Sequence, residues 1–343
     1  MEEKITFESA GGLKLTGTVS IPDDLKRGEK RPGFIVLHGF GSNSSAGNTI
    51  QPCQMLNKWG YVTLRFDMRG CGDSEGEFGR VICLEQVEDT QYALDYFLNR
   101  PEISGNRIGL MASSFGAAVA IYTAGIDERP AAVVSSVGWG NGERKFRAQH
   151  ATSQDWKKFT DMLSAGAMHK RQTGKSLMVS RYDIVPIPNF LRTHLAKKSV
   201  MQFPVETAQS MFDFNAEEVV GNIAPRPLLL LHAARDSICP TEQSIELFKN
   251  AGENVLTLKV ANSFSSKITP EISLYDETGH FRVVESVRGP INTVGKKGFE
   301  FLAYVEFNPL RGCLNYMYDE DMDVNLAEMM HQGANFGSIS GTG

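Results

Sequence analysis

Residues 107–120 read RIGLMASSFGAAVA, and this stretch decides the fold of the chain. Its first part, Ile108 to Met111, is apolar and short enough for a buried strand, whereas the small residues near its end suit a helix that packs closely on a sheet. Ser114 lies at the junction between the two parts. The surrounding residues match the strand-to-helix nucleophile elbow, G-x-S-x-G, with alanine at the first glycine.

A sharp turn of this kind holds its serine in a strained backbone conformation, so the residues two positions away on either side must be small. Ala112 and Gly116 meet this requirement for Ser114, whereas Ser113 has Phe115 at the second position after it. The alternative interpretation is a serine that caps the amino end of a helix, since serine is common there.

The composition is that of a globular protein with one large core. The chain has 343 residues, of which 41% are hydrophobic and 22% charged. Its 35 basic and 40 acidic residues are spread along the chain and give a net charge of -5, which argues against a nucleic-acid partner. The first twelve residues, MEEKITFESAGG, are unlike a signal peptide, and no apolar run approaches the length of a membrane span. We therefore expect a cytoplasmic protein with no membrane association.

The five cysteines predict neither a disulfide framework nor a zinc site. They are odd in number and lack C-x-x-C spacing. Free thiols in a reducing compartment are the simpler interpretation. The cysteines are Cys53, Cys71, Cys83, Cys239 and Cys313.

Hydrophobic patterning predicts strands that alternate with helices, and hence an α/β fold with a mostly parallel sheet covered by helices on both faces. The predicted strands are Lys4–Ser9 and Leu13–Ile21 (a starting hairpin), Gly33–Leu37, Tyr61–Phe66, Ile108–Met111, Ala131–Val137 and Pro227–His232, with Asn254–Val260 and Ile272–Tyr275 as further candidates. The predicted helices are Ile50–Trp59, one through Leu84, Val87, Leu94 and Leu98, Thr241–Asn250 and Thr293–Val305.

The chain divides into a core, an insertion and a tail. We expect a core of residues 1–138 and 221–305, and a helical cap of residues 139–220, where the strand pattern stops. Three aromatic residues of the cap either line a substrate pocket or attach the cap to the core. These are Trp139, Trp156 and Tyr182. The tail, residues 306–343, is rich in methionine and acidic residues and lacks the glycine of a calcium loop. It is either a solvated tail or a docking segment in a homodimer.

Polar residues that can carry chemistry follow the predicted strands in a particular order. Ser114, Asp236 and His280 each come soon after a strand, in the order nucleophile, acid, histidine. The loop His38 to Ser42, HGFGS, follows another buried strand and can fold back over its end because of its glycines. The glycine-rich loop at residues 67–76 lacks both the G-x-G-x-x-G spacing and the lysine of a nucleotide-binding loop.

Other residues could in principle take these roles. Asp276 could be the acid, but its position four residues before His280 suggests that it caps the loop. His38 precedes Gly39 and is expected to form structural hydrogen bonds, while His232 lies within a buried strand. The remaining histidines have no motif around them and are expected at the surface or in the cap. These are His150, His169, His194 and His331.

Together these segments resemble the α/β-hydrolases over roughly residues 10 to 305. LHGFGS resembles the oxyanion loop, FDMRGCGDSEG the loop that follows it, ASSFG the elbow, APRPLLLLHAARDSICP the acid segment and TGHF the histidine loop. Within that superfamily the chain is most similar to cinnamoyl and feruloyl esterases and to dienelactone-hydrolase-like and Xaa-Pro-peptidase-like enzymes. It departs from the pattern in Ala112 and in an apparent insertion, VANSFSSKITP, between the acid and the histidine.

The resemblance implies a serine hydrolase that cleaves an ester of a small or aromatic molecule through an acyl-enzyme. Ser114 would attack, His280 would take its proton, and Asp236 would orient the imidazole. The amides of Phe40 and Phe115 would form the oxyanion hole. The chemistry requires no metal or organic cofactor. The same residues could instead serve a lactone, an amide or a carbon-carbon bond, and a ligand-binding protein without turnover is a third reading.

Overall fold

The computed structural model describes residues 1–189, 192, 195–233, 236, 238–251, 257–261, 272–275 and 281–284. The strands are β1 (Glu2–Glu8), β2 (Lys14–Ser20), β3 (Arg31–Leu37), β4 (Val62–Phe66), β5 (Ile103–Ser113), β6 (Pro130–Ser136), β7 (Met178–Ser180), β8 (Gln202–Pro204), β9 (Leu228–Ala233), β10 (Thr257–Ala261), β11 (Ile272–Tyr275) and β12 (Phe281–Val284). The helices are α1 (Gly47–Lys58), α2 (Cys83–Leu98), α3 (Phe115–Ile126), α4 (Gly142–Gln149), α5 (Ser153–Thr173), α6 (Arg181–Ile184), α7 (Val205–Asp213) and α8 (Glu242–Asn250).

Ten of the described strands form one sheet in the order β1-β2-β4-β3-β5-β6-β9-β10-β11-β12. The six strands from β4 to β10 in this order are parallel. Antiparallel strands flank them, β1 and β2 on one side and β11 and β12 on the other. The predicted mostly parallel α/β sheet is therefore confirmed.

Helices cover both faces of this sheet because its central strands bury side chains on both sides. In β3, Phe34 and Val36 belong to one apolar cluster with Leu56 of α1. Ile35 and Leu37 point the other way, into the larger cluster that holds the apolar faces of α2 and α3. A strand buried on both faces shows no polar alternation, which is why its sequence is continuously apolar.

The predicted starting hairpin is confirmed. β1 pairs antiparallel with β2, with Glu8 opposite Lys14. The turn between them needs left-handed backbone at Gly11 and Gly12, where φ is +68° and +77°. Glycine adopts these angles without the steric cost that a Cβ brings.

Residues 139–220, here called the inserted segment, lie between β6 and β9 and contain α4 to α7. They also contain a two-stranded antiparallel pair, β7 and β8, that the sequence did not predict. The prolines of YDIVPIP do stop a helix, since α6 ends at Ile184 and Pro186 follows.

Two further expectations can be compared with the structure. Leu84 falls at helical spacing but is 56% exposed, because it lies on the outer side of the first turn of α2. Both candidate strands after α8 join the sheet, where β10 is parallel to β9 and β11 is antiparallel to β10. The predicted helix 293–305, the tail 306–343 and Cys313 lie outside the described residues.

The longest described helix, α5, has 21 residues and carries several charged side chains. In the described part of the chain, no helix is both long and apolar enough to cross a membrane.

Candidate active site

Ser114 occupies the turn between β5 and α3. Its φ is 55° and its ψ is -121°, a conformation that is strained for a residue with a side chain. Its amide donates to the carbonyl of Ser136 at 2.9 Å, and its own carbonyl accepts from the amides of Ala117 and Ala118. The adjacent strand and the first turn of the helix therefore hold the serine in the backbone conformation that a nucleophile elbow requires.

The elbow is tightly packed against the end of β3. A Cβ on Gly116 would lie 2.5 Å from the carbonyl oxygen of His38, so only glycine fits. Ser113 is 4% exposed, and its hydroxyl accepts from Asn48 Nδ2 at 3.0 Å. Ser114 is partly exposed. The turn thus buries one serine and presents the other.

Phe40 and Phe115, the two predicted oxyanion-hole residues, lie beside each other. Their ring centroids are 5.9 Å apart, and the ring of Phe40 stacks on Phe203 at 4.3 Å. Among the described residues, neither the Phe40 amide nor the Phe115 amide donates to another backbone or side-chain atom. Phe115 is also the first residue of α3, where the helix dipole favours negative charge.

His38 forms structural hydrogen bonds. Its Nε2 accepts from the amide of Met68 at 3.1 Å, which leaves the proton on Nδ1 to be donated to the carbonyl of Gly39 at 2.9 Å. Burial lowers the pKa of His38 below its ordinary value of 6.5. The imidazole is neutral and forms a hydrogen bond at each ring nitrogen, and these two bonds join the oxyanion loop to the residues that follow β4.

The glycine-rich loop after β4 supports the loop after β3 through hydrogen bonds. Asp67 accepts from the amides of Ser44 and Asp73 at 2.6 and 2.8 Å, which ties this loop to the oxyanion loop. Arg69 pairs with the fully buried carboxylate of Asp89 at 2.7 Å. Because Asp67 and Arg69 both have partners inside the protein, the described contacts give this loop a structural role.

Asp236 follows β9, at the same edge of the sheet as Ser114. One strand, β6, separates β9 from β5, so the two strand ends are about 10 Å apart. The Oδ1 atom of Asp236 accepts from the amides of Ile238 and Cys239 at 2.7 and 2.8 Å. Among the described residues no donor contacts Oδ2.

His232 and α4 support the turn that contains Asp236. The buried His232 bonds to the carbonyl of Cys239 at 2.7 Å and to Ser244 Oγ at 2.6 Å. Burial lowers the pKa of His232, as expected for a core residue. Gln149 Nε2 donates to the carbonyl of Ile238, so the inserted segment also supports this turn.

A buried lysine, Lys145, lies close enough to the turn that contains Asp236 to interact electrostatically with it. Lys145 is 4% exposed, and its Nζ is 4.0 Å from the ring of Phe146 and 3.1 Å from Gln149 Oε1. Burial lowers the pKa of Lys145 from 10.5 to about 8, against the opposing attraction of Cys239, Cys83 and Asp236.

His280 and Asp276 lie outside the described residues, but the strands on either side of them are described. Tyr275 pairs with Phe281, while Ile272, at the other end of β11, pairs with Ala261 at the carboxyl end of β10. The Tyr275–Phe281 pair therefore lies away from the edge that carries Ser114. The role of His280 stays a prediction that rests on the TGHF motif and its place in the chain.

The three aromatic residues predicted for a pocket all make packing contacts. Trp139 is buried edge-on against Phe214, with ring centroids 5.4 Å apart. Guanidinium groups cover the other two rings, Arg147 over Trp156 at 4.3 Å and Arg192 over Tyr182 at 3.8 Å. These contacts hold the inserted segment together, and a role in a substrate pocket stays a prediction.

The other described histidines are not assigned a role in this chemistry, and Cys239 is the described cysteine that belongs to the turn of Asp236. His150 is buried and stacks on Phe159 at 4.5 Å, and His169 lies on α5. The described cysteines are free and buried, and burial raises the pKa of the thiols of Cys53 and Cys83 to about 12. His194 and His331 are outside the described residues.

Sequence reasoning missed two residues that contact the site. Arg181 donates to the carbonyl of Phe40, and Lys145 lies close to the turn that contains Asp236. Both come from the inserted segment. Nothing in the sequence distinguishes them from the other lysines and arginines of the chain. Their neighbours in the sequence gave no signal, because each contact joins parts of the chain that are far apart in sequence.

The chain is similar to a protein named as a polyketide transferase and to one named as a thiohydrolase. It is 26% identical to the polyketide transferase GrgF of a Penicillium species over 270 residues, or 73% of this chain and 84% of GrgF. It is 24% identical to the thiohydrolase AneE of Aspergillus aculeatus over 266 residues, or 72% of this chain and 80% of AneE.

Solved structures show the same fold. The crystal structure of GrgF, described as an α/β-hydrolase, matches with a TM-score of 0.61 at 20% identity, over 78% of this chain and 90% of that one. Est1E of Butyrivibrio proteoclasticus, solved with ferulic acid bound, matches with a TM-score of 0.52 at 18% identity, over 75% of this chain and 88% of that one.

The model of the family "Serine aminopeptidase, S33" matches residues 28–271, well over half of the chain. The matched range includes the oxyanion loop, Ser114 and Asp236, and ends before His280. The chain belongs to this hydrolase family, within the α/β-hydrolase superfamily.

Proposed function

We propose that the protein is a serine hydrolase that cleaves a carboxylic ester of a small or aromatic molecule through an acyl-enzyme. The observation that carries this proposal is the strained backbone of Ser114 at the end of β5, beside two amides that lack partners among the described residues. A serine in this position faces the point where a substrate carbonyl would lie between nucleophile and oxyanion hole.

The proposed reaction starts with proton transfer. A serine hydroxyl is a weak nucleophile at pH 7, so a base must take its proton as Oγ of Ser114 attacks the acyl carbon. We assign this base to His280 from the sequence motif, and Asp236 would hold the imidazole through Oδ2. The amides of Phe40 and Phe115 would donate to the oxyanion. The base then returns the proton to the leaving alkoxide, and water releases the acid from Ser114.

The direct test compares two adjacent serines. We expect Ser114→Ala to lower kcat on p-nitrophenyl butyrate by about 10⁶-fold, to near the background rate. Ser113→Ala is the matched control, because its buried hydroxyl contacts Asn48 and not the substrate side. It should keep most of the activity. Equal rates in wild type and Ser114→Ala would contradict the proposal.

The base has its own test. His280→Gln should lose turnover nearly as completely as the serine variant, whereas His169→Gln, on the surface helix α5, should not. Full activity in His280→Gln would give the role of base to another residue and would leave Ser114 as the nucleophile.

A panel of substrates identifies the bond. Methyl ferulate, a short acyl thioester, a lactone and an anilide should be compared at equal concentration, because the same acyl-enzyme serves several leaving groups. We expect the aromatic ester to give the highest kcat/KM. Fluorophosphonate labelling separates an enzyme from a binding protein, since only an activated Ser114 should react.

The buried thiols also support a cytoplasmic location for this reaction. Cys71 and Cys239 are free, and burial raises the pKa of both. Reduced cysteines of this kind are typical of proteins from reducing compartments.

A further inference from the structure

A guanidinium group from the inserted segment reaches the oxyanion loop. Arg181 begins α6 and is 6% exposed. Its Nη2 donates to the carbonyl of Phe40 at 2.6 Å, and its Nη1 donates to the carbonyl of Val200 at 3.0 Å and approaches that of Gly41 at 3.5 Å. One side chain thus joins two segments that are about 140 residues apart in the sequence.

The backbone around this contact is fitted to it. The amide of Arg181 donates to the carbonyl of Met201 at 2.9 Å, so the β7–β8 pair fixes where the side chain starts. The amide of Val200 donates to the carbonyl of Gly41 at 2.8 Å. Gly41 has a φ of +49°, and a Cβ there would lie 2.4 Å from the ring of Phe203. Only glycine allows the inserted segment to approach this closely.

Phe40 is therefore held on three sides. Phe203 stacks on its ring at 4.3 Å, the guanidinium of Arg181 lies 5.2 Å from the ring centroid, and the same group holds its carbonyl. The N–H of Phe40 belongs to the preceding peptide, whose carbonyl, that of Gly39, accepts from His38 Nδ1 and from the amide of Ser42. Contacts on both sides of Phe40 therefore fix the direction of its N–H. An oxyanion hole works only if its donors already point at the developing charge.

We propose that Arg181 is a positioning residue for the oxyanion hole, which it serves by holding the Phe40 carbonyl and so aiming the Phe40 amide. This inference rests on the proposed function, because it assigns the Phe40 amide to the oxyanion. It makes the inserted segment a part of the catalytic machinery in addition to any role in substrate selection.

The test is a set of substitutions at Arg181. Arg181→Lys keeps the charge and loses the fork of donors, and Arg181→Met loses both. We expect kcat on p-nitrophenyl butyrate to fall about 10-fold in the lysine variant and about 100-fold in the methionine variant, with KM within about twofold. Losing a whole oxyanion donor costs about 10² to 10³ in kcat, which sets the upper limit.

Phenylboronic acid separates positioning from a loss of structure. It forms a tetrahedral adduct with the serine, so its Ki should rise in step with the fall in kcat. Arg226 is the matched control, because it also donates to backbone carbonyls, those of Asp127, Pro130 and Ala124, but near the start of β6. Arg226→Lys should lower the melting temperature at least as much as Arg181→Lys and leave kcat and Ki unchanged.

Two outcomes would overturn the inference. One is wild-type kcat and Ki in both Arg181 variants, and the other is losses no larger than those of the Arg226 control. Failure of the proposed function looks different, since the wild type would then show no turnover that depends on Ser114.

Discussion

The nucleophile side and the acid side of the candidate site are held by different means. On the nucleophile side, the elbow, the oxyanion loop and the glycine-rich loop are joined to one another by His38, Asp67 and Asn48, all within the first half of the chain. On the acid side, Asp236 relies on its own turn, on His232, and on Gln149 and Lys145 from the inserted segment.

The two sides therefore differ in how they are held and in whether they contain a buried group with a shifted pKa. Neutral hydrogen bonds and a paired carboxylate fix the nucleophile side, and they give it little freedom to titrate near pH 7. The acid side contains a charged group, Lys145, whose pKa is lowered to about 8. We therefore expect substitution of the paired Asp89 to change mainly stability, substitution of Asp236 to change mainly activity, and substitution of Lys145 to change the pH dependence of stability.

The largest contrast is between two carboxylates. Asp236→Asn should keep the turn, because the amide oxygen can still accept from Ile238 and Cys239, yet it should lower kcat about 10⁴-fold by losing the charge that orients the base. The measurement is kcat on p-nitrophenyl butyrate together with the melting temperature. A variant that retains a tenth of the wild-type rate would remove Asp236 from the triad.

Asp89→Asn is the complement on the nucleophile side. Its carboxylate is fully buried against Arg69, so the substitution leaves the guanidinium with only its half-exposed partner Glu88 and should cost about 2 kcal/mol of stability. Urea unfolding at pH 7 measures this. The kcat of the folded fraction should stay within about threefold of the wild type, and a large selective loss of kcat would show that the two sides are not separate.

Lys145→Met should stabilise the protein at pH 7 by up to about 3 kcal/mol, since it removes a charge whose burial lowers its pKa from 10.5 to about 8. Below pH 8 the lysine is charged in both the folded and the unfolded protein, so the full free-energy cost of burying its charge lowers the stability of the wild type. Between pH 8 and 10.5 only the unfolded chain keeps the proton, so wild-type stability rises with pH and the advantage of the variant disappears.

Urea unfolding between pH 7 and 10.5 tests this pattern. Lys157→Met is the control, because Lys157 is exposed in its ion pair with Asp161 and should change little. A constant difference between Lys145→Met and wild type at all pH values would mean that packing, and not the charge, produces the effect.

The sequence indicates the elbow and the loop after β3 because their signals are local. An apolar run, a small residue on each side of Ser114 and the glycines after β3 each occupy only a few positions. Physical fit explains them in the structure, since a Cβ on Gly116 would collide with the carbonyl of His38.

The rest of the site depends on contacts between distant parts of the chain. Nothing near Arg181 in the sequence indicates that its guanidinium reaches Phe40, and nothing near Lys145 indicates burial behind Asp236. Even in α2 the helical spacing that predicted the helix could not tell that Leu84 faces solvent, because a helix of this length has more than one apolar position per turn. The position of His280 rests on sequence alone.

His38 gives a smaller effect, on the acid limb of stability. Burial lowers the pKa of His38, so as pH falls through 6.5 the unfolded chain takes up a proton that the folded protein excludes, and stability is lost. His38→Gln should cost about 1 kcal/mol at pH 7 through weaker bonding to Met68, and its stability should fall less steeply between pH 6.5 and 5. Parallel curves for the two proteins would exclude this role.

The smallest effect should come from the exposed link between the nucleophile side and the inserted segment. Lys198 pairs with Asp73, but both side chains are about 60% exposed, so water and salt screen the attraction. Lys198→Met should therefore change stability by no more than about 0.5 kcal/mol and kcat by less than twofold, and added salt should erase even that difference. Arg181 crosses the same junction while buried, so the two substitutions measured together show whether burial decides which links matter. A loss of kcat in Lys198→Met as large as that in Arg181→Met would mean that any weakening of the junction disturbs the oxyanion loop, and that Arg181 has no special place in it.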